Sequence, residues 1–510
     1  MKVLYSIASL LLLVGVHPVS AFSIDASAEV AAARPEVEVE FDLDPESKAQ
    51  WGGYAASRSD RPVLEGRTGP MGMKIRPLGG AKVKPAIPMS TVLKPEGFNF
   101  GRGTAYVTTE DMEEGGELLS LPMSNVMSVA SAARGRVGLL LEVNPDLPPA
   151  IALGLHLLEE RALGAASNFS EFIATLPTVE AINSTLFYSE EEMKEMEGSQ
   201  LQRLTLGRAQ AVEAFYEALL QPVTSREAVD PPIFKKEEFT LDQFRWAMGV
   251  VWSSIFQFGE NEDEVVLAPV LDTIGICTAL DEQGDEACPK TRIKLDTSTQ
   301  RLVVYASAPY TKGQEVRLSM SGKSSTQLML SNGFARDRAS KLDKLDLTVT
   351  LDPSDTLAPL KNYLLQTQLN ESVNATYGFF YGSAQIDDAI STSLKMKLLS
   401  GAELSRYKEL LTPAEDEEDR RIVSLRNEFV FTRAVISTCT TLLNQYPTTI
   451  EQDQRILTQL SDNDDVESIR KTNVQRILIM EKQILQDTMD NALEEWKGLV
   501  YSSHPNLQEV

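Results

Sequence analysis

Short strand-like runs of apolar residues mixed with polar ones occur between residues 104 and 321. TAYVTT, ELLSLP, RLVVYASA and EVRLSMS are such runs, and turn-forming residues bound them, so they predict strands. KLDLTVTLDP predicts a further strand, with Leu345, Leu347, Val349 and Leu351 on one side.

Helical periodicity occurs between these strands. PPAIALGLHLLEERAL predicts an amphipathic helix with Pro148 and Pro149 near its start. A second helix is predicted near residues 199–220, and a third in LDQFRWAMGVVWSSIFQF. The front of the chain therefore combines strands and helices.

Beyond about residue 355 the pattern becomes helical. Two sets of residues each keep one helix face apolar: Ile422, Leu425, Phe429 and Ile436, and later Val474, Ile477, Leu478, Ile484, Leu485 and Met489. YPTTIEQDQRIL has the pattern of a helix start, where Thr448 or Thr449 caps the helix and acidic residues fill its first turn. A β-containing front followed by an all-helical back predicts an α+β architecture.

The N-terminus has the pattern of a signal peptide, residues 1–21. MK is followed by the apolar VLYSIASLLLLVGV and by VSA, a small-residue cleavage site after Ala21. Cleavage leaves Phe22 first, which resembles the Ala-Phe junction of plastid presequences in algae with secondary plastids. The acidic residues that follow are unlike a transit peptide. We expect entry into the secretory pathway, with the plastid favoured over a vacuolar or secreted destination.

Residues 22–96 lack apolar periodicity and are rich in Gly, Pro and Arg, so they predict a largely disordered linker or transit segment. Ordered structure is expected to begin near Asn99. Four Asn-x-Ser/Thr sequons are glycosylation acceptors if the chain passes through the ER lumen. They are Asn168, Asn183, Asn370 and Asn374.

Composition narrows the function classes. The net charge of −25 argues against nucleic acid, because phosphate binding requires clustered Lys and Arg. No segment is long and apolar enough to span a membrane.

Three cysteines without a CxxC pair argue against a zinc site and against a disulfide framework. Cys277 and Cys288 could pair in a hairpin, but spacing alone fixes no geometry. His156, within IALGLHLLEE, is interpreted as a packed helix residue rather than a catalytic base or metal ligand.

Several blocks in order resemble the SET-domain protein-lysine methyltransferases of the Rubisco large-subunit methyltransferase class. They are FGRGTAYVTTEDMEEGGELLSLP, LGLHLLEERALGAASNFSEFIATLP, FRWAMGVVWSSIF, KGQEVRLSMSGKSSTQLMLSNGF, YPTTIEQDQRIL and QRILIMEKQIL. The resemblance implies a SET-type β-fold at 97–350 with a helical insert at about 145–258. It also implies an all-α substrate-binding domain at 351–500, which would bind a protein substrate or partner.

The resemblance also implies a cofactor and its contacts. The family uses S-adenosylmethionine, whose methyl group passes to a lysine amine of a protein. A Gly-x-Gly turn lets main chain approach the cofactor closely. On this basis Gly101, Arg102, Gly103, Asp272 and Phe334 are expected to line the cofactor pocket.

The centre of the expected site departs from the family pattern. Gly275 and Ile276 stand where an Asn-His pair belongs, and neither offers a side-chain hydrogen bond. Met320 and Asn332 take the positions of two tyrosines, so no catalytic residue is assigned. Ser254 replaces an arginine. The family resemblance predicts a protein-lysine N-methyltransferase with an altered pocket, and the alternative is a catalytically lapsed SET-fold module or scaffold that binds a protein.

Overall fold

The structure of the protein is a computed structural model. It describes residues 21–23, 92–99, 103–225, 234–258, 264–277, 280–281, 287–288, 291–296, 298–318, 322–352, 354–383, 385–411, 421–460 and 465–500. Nearly all of the predicted signal peptide and most of the predicted linker lie outside the described residues, as do Gly101, Arg102 and Met320.

The described strands form four three-stranded sheets. The strands are β1 (Ala21–Ser23), β2 (Leu93–Asn99), β3 (Gly103–Thr108), β4 (Glu117–Pro122), β5 (Met127–Ser128), β6 (Ile255–Phe258), β7 (Glu264–Leu267), β8 (Thr291–Asp296), β9 (Arg301–Ala306), β10 (Glu315–Val316), β11 (Lys344–Thr350) and β12 (Asn374–Phe380). The sheet orders are β1-β11-β12, β10-β3-β2, β4-β9-β8 and β5-β7-β6. Pairing within these sheets is antiparallel except between β1 and β11.

The described helices lie mainly between residues 129 and 254 and between residues 325 and 500. In the described ranges they are α1 (Val129–Ala132), α2 (Val137–Val143), α3 (Pro149–Leu163), α4 (Ser170–Ile173), α5 (Glu190–Lys194), α6 (Gln200–Phe215), α7 (Gln221–Thr224), α8 (Leu241–Ser254), α9 (Ser325–Asn332), α10 (Ala358–Leu364), α11 (Asp388–Lys397), α12 (Leu425–Leu443), α13 (Ile450–Leu460) and α14 (Val466–Val500). The chain is thus α+β, as the sequence predicts.

Strand β11 confirms the period-two pattern, because Leu345, Leu347, Val349 and Leu351 are all buried. The helical back of the chain is nevertheless interrupted by β12, which pairs with β11 along its whole length. This strand is a correction to the all-helical prediction. The free edge of β11 needs backbone partners, and NATYGFF supplies them from β-branched and aromatic residues.

Two element boundaries and the environment of one side chain also differ from the predictions. Helix α8 ends at Ser254, and the following IFQF forms β6, because a short apolar run does not distinguish a helix end from a strand. Strand β2 begins at Leu93, earlier than the expected start of order near Asn99. Phe429 is 47% exposed, so it does not lie on the buried face of α12 as predicted.

The C-terminal region shares its hydrophobic core with the front of the chain. One buried cluster joins Met329 of α9, Leu347 of β11, Phe431 of α12 and Ile477 of α14. The predicted apolar face of α14 contributes most of its residues to this cluster. The two regions are therefore packed together as one body.

A buried carboxylate reinforces this contact. Glu481 of α14 accepts hydrogen bonds from the amides of Gln200 (3.0 Å) and Leu201 (3.2 Å), at the N-terminus of α6. It also accepts one from the Tyr446 hydroxyl at 2.7 Å. A negative charge at a helix N-terminus is favourable, so Glu481 fastens α14 to the insert.

Candidate functional site

Two chain segments cross at the place where the sequence predicts the cofactor cleft. The amide of Leu318 donates to the Gly275 carbonyl oxygen at 2.8 Å, and the amide of Cys277 donates to the Leu318 carbonyl oxygen at 2.9 Å. Ile276 and Leu318 thus form a short parallel bridge. This bridge positions the segment that carries Gly275 and Ile276.

The side chain of Ile276 is part of the hydrophobic core. It is 8% exposed and packs in a buried cluster with Leu328 of α9 and Phe334. Phe334 is itself 4% exposed. The position at which the family resemblance implies a histidine is therefore filled by apolar packing.

The expected tyrosine and arginine positions lie together at the ends of two helices. Asn332, the last residue of α9, donates from Nδ2 to the Ser253 carbonyl oxygen at 2.8 Å and accepts at Oδ1 from the Ser331 hydroxyl at 2.8 Å. Ser253 lies beside Ser254, and their hydroxyl oxygens are 3.4 Å apart. These groups are neutral and bonded to one another.

A relay of polar side chains fixes the turn that carries Phe334. Gly333 ends α9 with a φ of 73°, and a Cβ there would lie 1.9 Å from the Asn183 carbonyl oxygen. Asn183 donates from Nδ2 to the Gly333 carbonyl oxygen at 2.6 Å. Its Oδ1 accepts from Nε of Arg470 at 2.6 Å, and Arg470 also pairs with Glu192 at 3.1 Å.

This role of Asn183 is not evident from the sequence, where the residue is marked only by its sequon. Gly after a helix is a recognisable end signal, and it was available in SNGF. Nothing in the local pattern relates Asn183 or Arg470 to that turn, because both contacts are made across the fold.

Asp272 occupies a short 3₁₀ turn, Leu271–Thr273, next to β3. Its Oδ1 atom is buried and has no hydrogen-bond partner among the described residues. Burial raises the pKa of Asp272 to about 7. The neighbouring Thr273 hydroxyl lies 3.2 Å from the Tyr106 hydroxyl of β3. Asp272 is thus close to the strand that follows the Gly-Arg-Gly turn.

Cys277 and Cys288 form a disulfide with a Cα–Cα distance of 5.9 Å. The pairing that the sequence left open is therefore present. Since Cys277 follows Ile276 directly, the disulfide anchors the chain just beyond the bridge to Leu318. The third cysteine, Cys439, is buried and reduced.

A cavity of about 550 Å³ lies beyond Phe334, where the chain passes between the front and the C-terminal region. Its lining includes Leu280, Arg336, Ser340, Tyr381, Arg476 and Ile477. Neither Asp272 nor Phe334 lines it. Among the predicted cofactor contacts that the structure describes, Asp272 and Phe334 therefore lie outside this cavity.

The described side chains offer only some of the polar and charged groups that would bind S-adenosylmethionine. The unpaired carboxylate oxygen of Asp272 suits a cationic sulfonium group. Gly275 and Ile276 offer no side-chain hydrogen bond to a nucleoside or a methionine group, and the Asn332 amide is already bonded. Gly275 and Ile276 therefore do not offer the side-chain contacts that the resemblance implies at their positions, while Gly101 and Arg102 lie outside the described residues.

The described part of the chain holds neither a group of His, Cys, Asp and Glu suited to a metal ion nor a helix long and apolar enough to cross a membrane. His156 is buried, and its Nε2 is 2.9 Å from the Ser131 hydroxyl. Burial lowers the pKa of His156 to about 4. This confirms its interpretation as a packed helix residue.

Comparison with known proteins agrees with this architecture. A family model described as Rubisco LSMT substrate-binding matches residues 352–485. The chloroplastic ribulose-1,5 bisphosphate carboxylase/oxygenase large subunit N-methyltransferase of Pisum sativum is 24% identical over 357 residues, which cover 69% of this chain and 70% of the pea protein. The chloroplastic [fructose-bisphosphate aldolase]-lysine N-methyltransferase of Arabidopsis thaliana is 26% identical over 386 residues, which cover 75% and 76%.

A solved structure shows the same fold. The crystal structure of the SET domain of LSMT bound to lysine and AdoHcy matches with a TM-score of 0.65 and 24% sequence identity. The match covers 82% of this chain and 90% of that chain. The similarity to the Rubisco large-subunit methyltransferase class, inferred from the sequence blocks, is confirmed.

Proposed function

We propose that the protein is a SET-fold protein-binding module in which methyl transfer has lapsed. The observation that carries this proposal is the burial of Ile276 against Leu328 and Phe334. Methyl transfer requires polar groups that orient the cofactor and the amine, and losing one such group often lowers the rate about 10²–10³-fold. Here apolar packing at Ile276 and the Asn332–Ser253 hydrogen bond occupy two of the positions where the resemblance implies such groups.

Protein binding is assigned to the C-terminal region, residues 351–500. The support is the match of residues 352–485 to the substrate-binding family model and the activities of the relatives, which methylate proteins. The region packs through a shared core onto the SET-like part, residues 97–350. A partner held by the helices would therefore sit at a fixed position relative to the cleft.

A second function is favoured by Asp272. S-adenosylmethionine-dependent lysine N-methylation is the activity class of the relatives, and AdoHcy is bound in the matching SET-domain structure. The Asp272 carboxylate has a raised pKa and an unpaired oxygen, so a bound sulfonium cation would favour its ionised form. In this alternative, Asp272 and the Gly101–Gly103 turn would contact the cofactor.

Isothermal titration with S-adenosylmethionine separates the two functions. The lapsed module gives no heat of binding up to millimolar cofactor. The enzyme gives saturable heat that is lost in Asp272→Asn and retained in Asp388→Asn, an exposed control in the first turn of α11. Saturable binding with this variant pattern, followed by methyl incorporation into a partner protein, would overturn the first proposal.

We also propose that the chain enters the secretory pathway and is delivered to a plastid. The support is the N-terminal pattern, the chloroplastic location in the names of the relatives, and the Cys277–Cys288 disulfide, since disulfides form in oxidising compartments. A fluorescent protein fused to residues 1–96 should accumulate in plastids. The same fusion with Phe22→Ala tests the Ala-Phe junction, and retention of either fusion in the cytosol would contradict the proposal.

A further inference from the structure

Two C-terminal helices leave large apolar side chains at the surface. Phe429 of α12 is 47% exposed, and Leu493 of α14 is 37% exposed. The rings of Phe429 and Trp496 meet edge to face, with centroids 5.3 Å apart. Leu493 and Trp496 are three residues apart in α14 and share one side of it. We call Phe429, Leu493 and Trp496 the apolar seam.

The seam is distinct from the face by which α12 joins the core. Helix α12 buries Phe431, Val435 and Cys439, which pack against α14 and β11. Phe429 points away from that face. Scattered exposed apolar residues are ordinary, but a Phe-Trp ring contact with an exposed Leu three residues from the Trp is typical of a contact surface, where aromatic side chains supply much of the binding energy.

The two helices run antiparallel along the seam. Phe429, near the start of α12, contacts Trp496, near the end of α14. Thr440, near the end of α12, donates to the sulfur of Met489, which precedes Trp496 along α14. Two antiparallel helices with apolar side chains between them form a groove of the kind that accepts a third helix.

The two sides of the groove carry opposite charges, acidic on α14 and basic on α12. On α14 the exposed acids Asp487, Asp490 and Glu494 follow helical spacing beside Leu493 and Trp496. Lys497 pairs with Glu494 at 2.6 Å. On α12 the border carries the exposed cations Arg426 and Arg433, of which Arg426 pairs with Glu403 at 3.0 Å.

We propose that the apolar seam docks an amphipathic helix of a protein partner, with the Lys- and Arg-bearing flank of that helix facing α14. This proposal rests on the proposed function, in which the C-terminal region binds a protein. The apolar stripe of the partner covers Phe429, Leu493 and Trp496, while its cations meet the acidic border of α14. The opposite charges of the two borders fix the direction in which the partner helix lies.

The test uses the full chain and labelled synthetic helical peptides of about 18 residues, with binding read by fluorescence anisotropy. One peptide carries an apolar stripe flanked by Lys on one side, and the second has Glu in place of Lys. We expect the Lys peptide to bind at least about tenfold more tightly than the Glu peptide. Phe429→Ser should weaken the Lys peptide about tenfold, whereas Tyr363→Ser, at a 62% exposed position on α10, should leave it unchanged.

A charge reversal guards against a variant that merely misfolds. Asp490→Lys/Glu494→Lys changes only exposed residues and should exchange the preference between the two peptides. Equal binding of both peptides, or equal binding by Phe429→Ser and the wild type, would overturn the proposal.

Two other occupants of the seam would also overturn it. A dimer that dissociates in Phe429→Ser by sedimentation would show that a second copy covers the seam. Peptide binding that appears only after residues 501–510 are removed would show that the chain's own tail covers it. The titration contains no S-adenosylmethionine, so its outcome is independent of whether methyl transfer has lapsed.

Discussion

Asn183 and Gly333, 150 residues apart in the chain, are joined by a 2.6 Å hydrogen bond from the Asn183 amide to the Gly333 carbonyl oxygen. Arg470 completes the link by donating to Asn183 Oδ1 at 2.6 Å. The insert, the turn that carries Phe334 and the C-terminal helix α14 therefore meet at one side chain. Since these groups are buried, the position of Phe334 depends on all three parts of the chain.

Gly333→Ala should destabilise the protein by about 2–4 kcal/mol. The substitution combines a positive φ of 73° with a Cβ that would lie 1.9 Å from the Asn183 carbonyl oxygen. Gly313→Ala is the matched control, because Gly313 has a φ of 83° and no heavy atom within 4 Å of the added Cβ. Urea unfolding should show a loss of about 1 kcal/mol for the control. Equal losses would mean that the close approach of Asn183 is unimportant.

Asn183→Ala should destabilise the protein by about 2–3 kcal/mol, because it leaves the buried Gly333 carbonyl and the buried Arg470 guanidinium each without one partner. Asn168→Ala, at an exposed sequon of the same insert, should cost less than about 0.5 kcal/mol. Both values come from urea unfolding monitored by circular dichroism. A loss below about 1 kcal/mol for Asn183→Ala would show that water replaces the side chain.

Glycan occupancy should divide the four sequons in protein expressed through the ER. Asn168, Asn370 and Asn374 are exposed and can carry a glycan. Asn183 is 7% exposed and doubly hydrogen-bonded, so folded protein should carry none there. Enzymatic deglycosylation in heavy-oxygen water followed by mass spectrometry reads each site. A folded, glycosylated Asn183 would be incompatible with this packing.

His156 should lower the free energy of unfolding as the pH becomes acidic. Burial holds its pKa at about 4, below its ordinary value of 6.5, so the unfolded chain binds the proton more readily. The stabilising contribution is present above pH 6.5 and is lost as the pH falls toward 4. Wild type should lose about 2 kcal/mol more than His156→Asn between pH 7 and pH 4.5, by urea unfolding at each pH. Parallel curves for the two proteins would contradict the assignment.

Asp272 should change the pH dependence of stability in the direction opposite to His156. Burial raises its pKa from 3.8 to about 7, so its contribution to stability is present below pH 3.8 and is lost as the pH rises through 7. Asp272→Asn should match the wild type near pH 4 and exceed it by about 1–2 kcal/mol at pH 8. Asp388→Asn, at an exposed position, should show no such divergence. A destabilised Asp272→Asn at pH 8 would indicate that the carboxylate is paired.

Local patterns in the sequence determined most of the secondary structure and the fold class. The alternation of Leu345, Leu347 and Val349 identified β11, and the Thr240–Gln243 capping box marks the start of α8 in the structure. Such patterns succeed because they report which face of a segment is buried. Ordered blocks along the chain also sufficed to indicate the SET-type architecture, because several weak matches in the same order are more specific than any one of them.

Tertiary structure alone decided the rest. Contacts between distant residues set the pairing of β12 with β11, the Cys277–Cys288 disulfide and the Asn183–Gly333–Arg470 link. The exposure of Phe429 likewise depends on which segments pack around α12. The family resemblance implies a polar residue at the position of Ile276, but only the fold showed that Leu328 and Phe334 pack against this side chain. A side chain's environment is set by the segments that pack around it, and these come from distant parts of the chain. Local periodicity does not predict those contacts.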